Sequence, residues 1–247
     1  MTSEDGKKLT GKVALITGGS RGIGKAVASA YARQGARVFI CARGEVDLAR
    51  TVSEVRNTGG TIDGLAGDIG NPEDARRIVG AAVERYGAVH VLVNNASLLG
   101  PRVTIAEYPI ADWEAVMRVN LTAVFLLTQQ ALRVMIPQRQ GSIINVSSGV
   151  GRIGKARWGA YACSKAGLEG FTQVLADELR DCGIRVNSVN PAATRTEMRA
   201  RAYPDEDPMK LPAPEEIMPI FLYLASDESV DVTGKALEAH DWIKRGD

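Results

Sequence analysis

Short runs rich in valine and isoleucine recur along the chain at Val13–Thr17, Val38–Ala42, Val89–Asn94, Ser142–Ser147 and Ile184–Val189. Each is apolar at consecutive positions and ends in a turn or in polar residues. That pattern marks strands buried on both faces, which requires helices on both sides of a parallel sheet. Ile62–Ala66 is a weaker run of the same kind, and Ala236–Ala239 is a candidate last strand. Helical patterns fill the intervals, at about 22–34, 45–57, 73–86, 111–136, 159–181 and 214–226. Pro72 after Asn71 predicts a proline in the first helical turn with asparagine as its cap. Asp112 and Pro214 stand near two other helix starts. The alternation predicts an α/β fold: a doubly wound, mainly parallel sheet with helices on both faces and right-handed crossovers. One domain accounts for all of 1–247. The polar residues 1–10 read as flexible. The long irregular stretch 191–214 reads as a lid over a ligand site.

The bulk numbers exclude several partners. Apolar residues make up 45%, charged residues 24%, and the net charge is +1. Nucleic acid and anionic membranes call for a clustered basic excess, so neither is expected. The apolar stretch 123–136 is interrupted by Gln129, Gln130 and Arg133, and reads as too short and too polar for a bilayer. Met1 to Lys8 lack the apolar core of a signal peptide. Cys41, Cys163 and Cys182 are scattered and odd in number, which fits a reduced, cytoplasmic setting. His90 and His240 lack ligand spacing, so no metal site is expected.

The first run leads into Thr17-Gly18-Gly19-Ser20-Arg21-Gly22-Ile23-Gly24, and a helix follows. Glycines let the backbone turn sharply and approach a pyrophosphate, and the helix start offers unpaired N–H groups to it. On a first strand, this string predicts dinucleotide binding. An NAD site has an acid at the end of the second strand for the ribose 2′-hydroxyl. Here that strand ends in Cys41-Ala42-Arg43. Nothing there repels a 2′-phosphate, and Arg43 and Arg21 are placed to grip one, so NADP(H) is the expected cofactor. Asp68, after the third strand, can accept from the adenine amino group. Asn94-Asn95-Ala96-Ser97 closes the fourth strand near the sugar.

Tyr161 and Lys165 stand four apart in a helical stretch and project from one face. Ser148 ends the strand before it. A carbonyl oxygen gains negative charge as hydride arrives and needs a proton donor beside it. A phenol is a poor acid–base catalyst at neutral pH unless a nearby ammonium lowers its pKa. A serine hydroxyl can hold the substrate oxygen. The trio predicts hydride transfer between a nicotinamide and a carbonyl/alcohol pair.

With these residues the chain resembles the short-chain dehydrogenase/reductase family, in its single-domain form of Rossmann fold. The likeness spans roughly 12–234 and includes the glycine string, Asp68, Asn94-Asn95-Ala96, Asn120, Ser148, Tyr161-x-x-x-Lys165, Asn190-Pro191 and Thr196. The resemblance implies catalytic roles for Asn120, Ser148, Tyr161 and Lys165. Tyr161 is the acid in reduction. Lys165 lowers its pKa and bonds the nicotinamide ribose. Asn120 holds a helix bend and a proton-relay water. It also implies a cofactor-binding set of Gly18, Ser20, Arg21, Gly22, Ile23, Gly24, Arg43, Asp68, Ile69, Asn95, Ala96, Tyr161, Lys165, Pro191, Thr194 and Thr196. A homotetramer or homodimer built on the two long helices is implied as well.

The chain departs from the family pattern at Ser97 and Ala192, where glycines are usual. At the C-terminus it reads Glu238-Ala239-His240-Asp241-Trp242. Ala192 is expected to resist a positive φ, and the changed ending puts the usual C-terminal packing in question. A dinucleotide sensor or scaffold that lost its chemistry is the alternative function, but such proteins lose the tyrosine or lysine kept here. The expected pocket lining is Leu98, Leu99, Val150, Arg152, Trp158, Met198, Tyr203 and Met209. Arg152 either greets an anionic small-molecule carbonyl substrate or lies solvated in its loop. The sequence is also similar to reductases of 3-oxoacyl thioesters on acyl carrier protein, for which Arg139 offers one basic contact; Cys182 stands where a second is often found.

Overall fold

The computed structural model describes residues 6–243. Seven parallel strands form one sheet in the order β3-β2-β1-β4-β5-β6-β7. They are β1 Val13–Thr17, β2 Arg37–Ala42, β3 Thr61–Ala66, β4 Val91–Asn94, β5 Gly141–Val146, β6 Ile184–Asn190 and β7 Ala236–Glu238. The expected strands are present, with ends shifted by at most two residues. Every residue of β1, β4 and β5 is buried, which is why they read as unbroken apolar runs and not as alternating ones.

Helices cover both faces: α1 Gly22–Arg33, α2 Glu45–Asn57, α3 Pro72–Tyr86, α4 Ile110–Met117, α5 Ala123–Gln138, α6 Gly159–Glu178, α7 Glu197–Ala202 and α8 Met218–Ala225. One core layer joins α1 and α8 to the sheet through Val27, Tyr31, Ile220 and Phe221, and the other joins α3, α5 and α6 through Ile78, Leu127 and Leu175. Asn71 caps α3 by accepting from the Glu73 and Asp74 amides, with Pro72 in the first turn. The strand order reverses between β1 and β4, and ligands of doubly wound sheets bind at the carboxyl ends of strands beside that switch point.

Several expectations change. Within residues 1–10, Lys7 to Thr10 form a turn that seats Leu9 in the core with no exposed surface; residues 1–5 lie outside the described ones. The stretch 191–214 is not irregular throughout, because Thr196 caps α7 by accepting from the Arg199 amide at 3.1 Å. Ala192 does adopt a positive φ, of 54°, at a cost of roughly 1–2 kcal/mol for a non-glycine residue. Asn190 compensates locally: its Oδ1 accepts from the Ala192 amide at 3.0 Å.

The long helix is longer than 111–136. A π turn at Arg118–Thr122 links α4 to α5, so Ile110–Gln138 runs continuously for 29 residues. By length and composition it meets the requirement for crossing a bilayer, contrary to the expectation. It nonetheless buries Val116, Ala123, Val124, Leu127, Ala131 and Met135 against the protein, as a core helix does. At the C-terminus β7 pairs with β6 in parallel, and Trp242 packs on Tyr223 with ring centres 4.6 Å apart.

Candidate active site

The glycine string bends off the end of β1 and opens α1. Gly18 and Gly22 have φ of 64° and 53°, values that suit glycine. No side chain caps α1 and no acid stands in its first turn. Its N–H groups and positive dipole end therefore face outward for a phosphate. Asn95 braces the loop from β4: its Nδ2 donates to the Thr17 and Gly18 carbonyls at 2.9 and 3.2 Å. Thr17 completes the brace, its Oγ1 accepting from the Asn95 and Ala96 amides. Asn95 thus shapes the cradle. Ser20 is buried, and its carbonyl accepts from Thr51. Ile23 packs on the α1 core layer, and Ile69 is buried in the other, so Ile69 has only its backbone to offer a ligand.

Arg43 follows β2 in an exposed position. Arg21 instead pairs with Glu197 on α7 at 2.8 Å, both side chains about 60% exposed or more. Such a pair is worth about 1 kcal/mol or less, so a phosphate can displace it. Among the described residues the end of β2 carries no acid. The open helix start, the glycine cradle and these two guanidiniums fit a dinucleotide with a 2′-phosphate. Asp68 is exposed and accepts from the Gly70 amide through Oδ1. Thr194 is buried and donates to the Pro191 carbonyl at 2.7 Å. Thr196 lies above the cradle, its methyl 3.6 Å from where a Gly22 β-carbon would stand.

The reacting groups meet at the ends of β4 and β5 and on α6. Tyr161 is only 8% exposed. The hydroxyls of Ser148 and Ser97 lie near its phenol. Burial pushes the Tyr161 pKa up, and the two serine hydroxyls oppose that. Lys165 is buried, and its Nζ donates to the Val146 carbonyl at 2.7 Å while standing 5.6 Å from the Tyr161 ring centre. Burial brings the ammonium pKa down to about 8, with the Glu169 carboxylate holding it up. In this arrangement burial, not Lys165, dominates the tyrosine.

Asn120 sits fully buried in the π turn. Its Oδ1 accepts from the Leu98 amide at 2.7 Å and from Ser97, and its Nδ2 donates to the Leu98 carbonyl and Ser164. It ties the bend of the long helix to the loop after β4 and to α6. Ser97 therefore joins the constellation directly. The sequence marks it as a departure from glycine in the polar string that closes β4.

The pocket wall corrects two expectations. Leu98, Leu99, Val150, Trp158, Met198 and Tyr203 do gather with Tyr161 in one apolar cluster. Met209 is 74% exposed and outside it. Arg152 lies in an exposed loop, 152–157, but it is not a free cation. It pairs with Glu169 at 3.3 Å and with Glu238. Glu238 also accepts from Asn190 at 2.7 Å, and Glu169 accepts from Ser188 at 2.6 Å. The atypical C-terminus thus supplies a carboxylate that ties the turn after β6 to the turn after β5.

The family model described as short chain dehydrogenase matches residues 12–207. An uncharacterised oxidoreductase, YciK, of Escherichia coli is 40% identical over 241 residues, 96% of this chain and 95% of that one. A 3-oxoacyl-[acyl-carrier-protein] reductase of Vibrio cholerae is 38% identical over 94% of this chain and 97% of its own. A short chain dehydrogenase from Shigella flexneri, solved complexed with NADP, is 40% identical. It superposes with a TM-score of 0.91 over 95% of this chain and 99% of that one.

Proposed function

The chain belongs to the short chain dehydrogenase family, and from that premise we propose that it reduces a carbonyl compound with NADPH, or oxidises the matching alcohol, through Tyr161, Ser148 and Lys165. The observation that carries this reading is the buried Tyr161 phenol with the Ser148 and Ser97 hydroxyls near it and the Lys165 ammonium 5.6 Å from its ring centre. When bound, the nicotinamide supplies the hydride. Gly18, Ser20, Gly22, Ile23 and Gly24 form the cradle for the pyrophosphate, with Asn95 and Ala96 behind it. Arg43 and Arg21 hold the 2′-phosphate, and Asp68 with the Ile69 backbone meets the adenine. Pro191, Thr194 and Thr196 line the nicotinamide end. Tyr161 gives a proton to the reacting oxygen while Ser148 orients it. Lys165, turning from Val146 to the ribose, supplies positive charge beside the phenol. Asn120 keeps the bend that holds Ser97 and the loop after β4.

The test is NADPH consumption against ketones, aldehydes, 3-oxoacyl thioesters and keto sugars, with NADH and Tyr161→Phe as controls. Turnover of one class, lost in the variant, supports the reading. Tight NADPH binding with no turnover across the panel counts against it. The ketoacyl reductase among the relatives makes thioesters a second substrate reading. Arg139, whose Nη2 donates to the Asp181 carbonyl, leaves charge at the surface for an acidic carrier.

Arg43→Ala weakens NADPH binding by about tenfold to a hundredfold, the scale of a lost charge-assisted hydrogen bond or two, and leaves NADH nearly unchanged. Arg21→Ala costs less, because in the wild type the phosphate must first displace Glu197 from Arg21. Fluorescence titration with both cofactors checks this, and equal losses for NADPH and NADH refute the 2′-phosphate role.

The pH profile follows from Lys165. Below about 8 its ammonium form prevails, so the reductive rate is full there and falls as pH rises through that value. Glu169 raises this pKa, so Glu169→Gln moves the falling limb to lower pH. A limb unmoved in the variant removes Lys165 as its source.

A second copy of the chain is proposed to cover the face of α5 and α6. Phe125 and Val174 are about half exposed there, and Phe125 meets Phe171 edge-on. Sedimentation equilibrium reads whether the protein is a dimer or a tetramer; a monomer at micromolar concentration discards this.

A further inference from the structure

Across Trp158 from Tyr161 stands a cation that proton and hydride transfer do not use. Arg102, half-buried in the loop after β4, places its guanidinium carbon 4.7 Å from the ring centre of Trp158 and 4.9 Å from that of Tyr203. Trp158 packs in turn on Tyr161, ring centres 5.6 Å apart. One terminal nitrogen, Nη1, donates to the Ala202 carbonyl at the end of α7. Nε is buried and has no partner.

Arg199 and Arg152 are neutralised and Arg102 is not. Arg199 lies 3.8 Å from the Tyr203 ring centre, and Glu206 takes it in a two-bonded fork at 2.6 and 2.7 Å. Arg152 is held between Glu169 and Glu238. No carboxylate pairs with Arg102 among the described residues. Leaving a buried charged donor unpaired is costly. The aromatic rings occupy the guanidinium face, so its edge is the part left for a ligand. Nη1 is engaged, and the remaining edge pairs Nε with Nη2, two parallel donors that match the two oxygens of one carboxylate. A second unpartnered donor, the Tyr108 hydroxyl, is buried in the same cluster, its ring against Gly159 beside Trp158.

We propose that Arg102 binds a carboxylate on the substrate, so that the substrate class is an oxo acid, or the matching hydroxy acid, with its carboxylate a few bonds from the reacting carbon. This rests on the reading of Tyr161 as the reacting group. A single guanidinium among aromatic rings suits a small planar monoanion better than a phosphate dianion, which needs more than one cation. The same residue carries the lid segment: Arg102 touches both Ala202 and Tyr203, so a bound carboxylate and a closed α7 favour each other.

The experiment compares levulinic acid and its next two homologues with their methyl esters. In NADPH-consumption assays the wild type prefers acid over ester by about tenfold or more in kcat/KM, the scale of a charge-assisted hydrogen bond. In Arg102→Gln that ratio falls towards one, and in Arg102→Lys it lies between, because a point charge remains without the fork. An ester preference, or a ratio unchanged in Arg102→Gln, overturns the proposal. Calorimetric titration of the same pairs into NADP+-loaded Tyr161→Phe protein reads recognition without turnover. Acid binding tighter than ester binding, lost when Arg102→Gln is added, supports the carboxylate site even where wild type turns over neither; only the hydride-transfer reading then fails. Turnover of both with no acid preference sinks the carboxylate site alone. Binding of neither acid nor ester overturns it too. Far-ultraviolet circular dichroism and retained NADP+ binding establish that each variant is folded.

Discussion

Tyr161→Phe is expected to lose turnover by about a hundredfold to ten-thousandfold, the range for removing a positioned proton donor, while NADPH binds almost as before. The ring is retained, and so is its contact with Trp158 at 5.6 Å. Only the phenol hydroxyl, whose pKa the nearby Ser148 and Ser97 hydroxyls pull down against burial, is deleted. Those serines cannot replace it: an unactivated hydroxyl is a far weaker acid than a phenol. The buried setting makes the loss severe. With Tyr161 8% exposed, bulk water has little access to the reacting oxygen, so solvent is a poor substitute donor. NADPH oxidation and NADPH fluorescence titration, run on the same preparation, separate chemistry from binding. Turnover within a few-fold of wild type sinks the assignment of Tyr161, and an equal loss of NADPH affinity relocates its role to cofactor binding.

The features legible in sequence are those with a short-range signature. Strands such as β5 read as continuous apolar runs because both faces are buried. The start of α3 reads from Asn71-Pro72 because the cap is local. The cradle and the Tyr161–Lys165 spacing are likewise local. Pairings across the chain were not legible. Arg21 meets Glu197, and Arg152 meets Glu238, and no spacing rule links residues so far apart. The π turn that buries Asn120 leaves no period of its own, because it lasts only five residues inside a longer helix. Ser97 and Arg102 lie in a loop, where periodicity has nothing to say. The anionic-substrate idea attaches in sequence to Arg152, four residues after Ser148. In the fold Arg152 is neutralised by two acids, and Arg102, nearly sixty residues from Tyr161 along the chain, stacks on Trp158, which packs on Tyr161. One sign for Ser97 was present: a side chain where its family has none.

Gly24→Ala should be the most damaging small substitution in the cofactor cradle. By helix propensity alone it should help, since alanine is favoured over glycine in a helix by about 1 kcal/mol, and Gly24 has no positive φ to lose. Packing decides otherwise. A β-carbon there stands 2.3 Å from the Gly18 carbonyl oxygen and 2.5 Å from Asn95 Nδ2. Neither can step aside cheaply. The first is backbone, and the second is held by its bonds to the Thr17 and Gly18 carbonyls. The loop must lift from the first turn of α1, with overpacking of about 1–3 kcal/mol and roughly 1 kcal/mol for each brace lost. These terms exceed the propensity gain. They also fall on the N–H groups that face the pyrophosphate. The expected result is a melting temperature lower by roughly 4–10 °C and NADPH affinity lower by about a hundredfold. Gly80→Ala is the control. It lies in α3 with nothing within 4 Å of the added carbon, so the propensity term acts alone and the melting temperature should rise. If Gly24→Ala also rises and binds NADPH normally, the close approach of α1 to the Gly18 turn is not what shapes the cradle, and the phosphate-binding role falls back on the guanidiniums of Arg43 and Arg21.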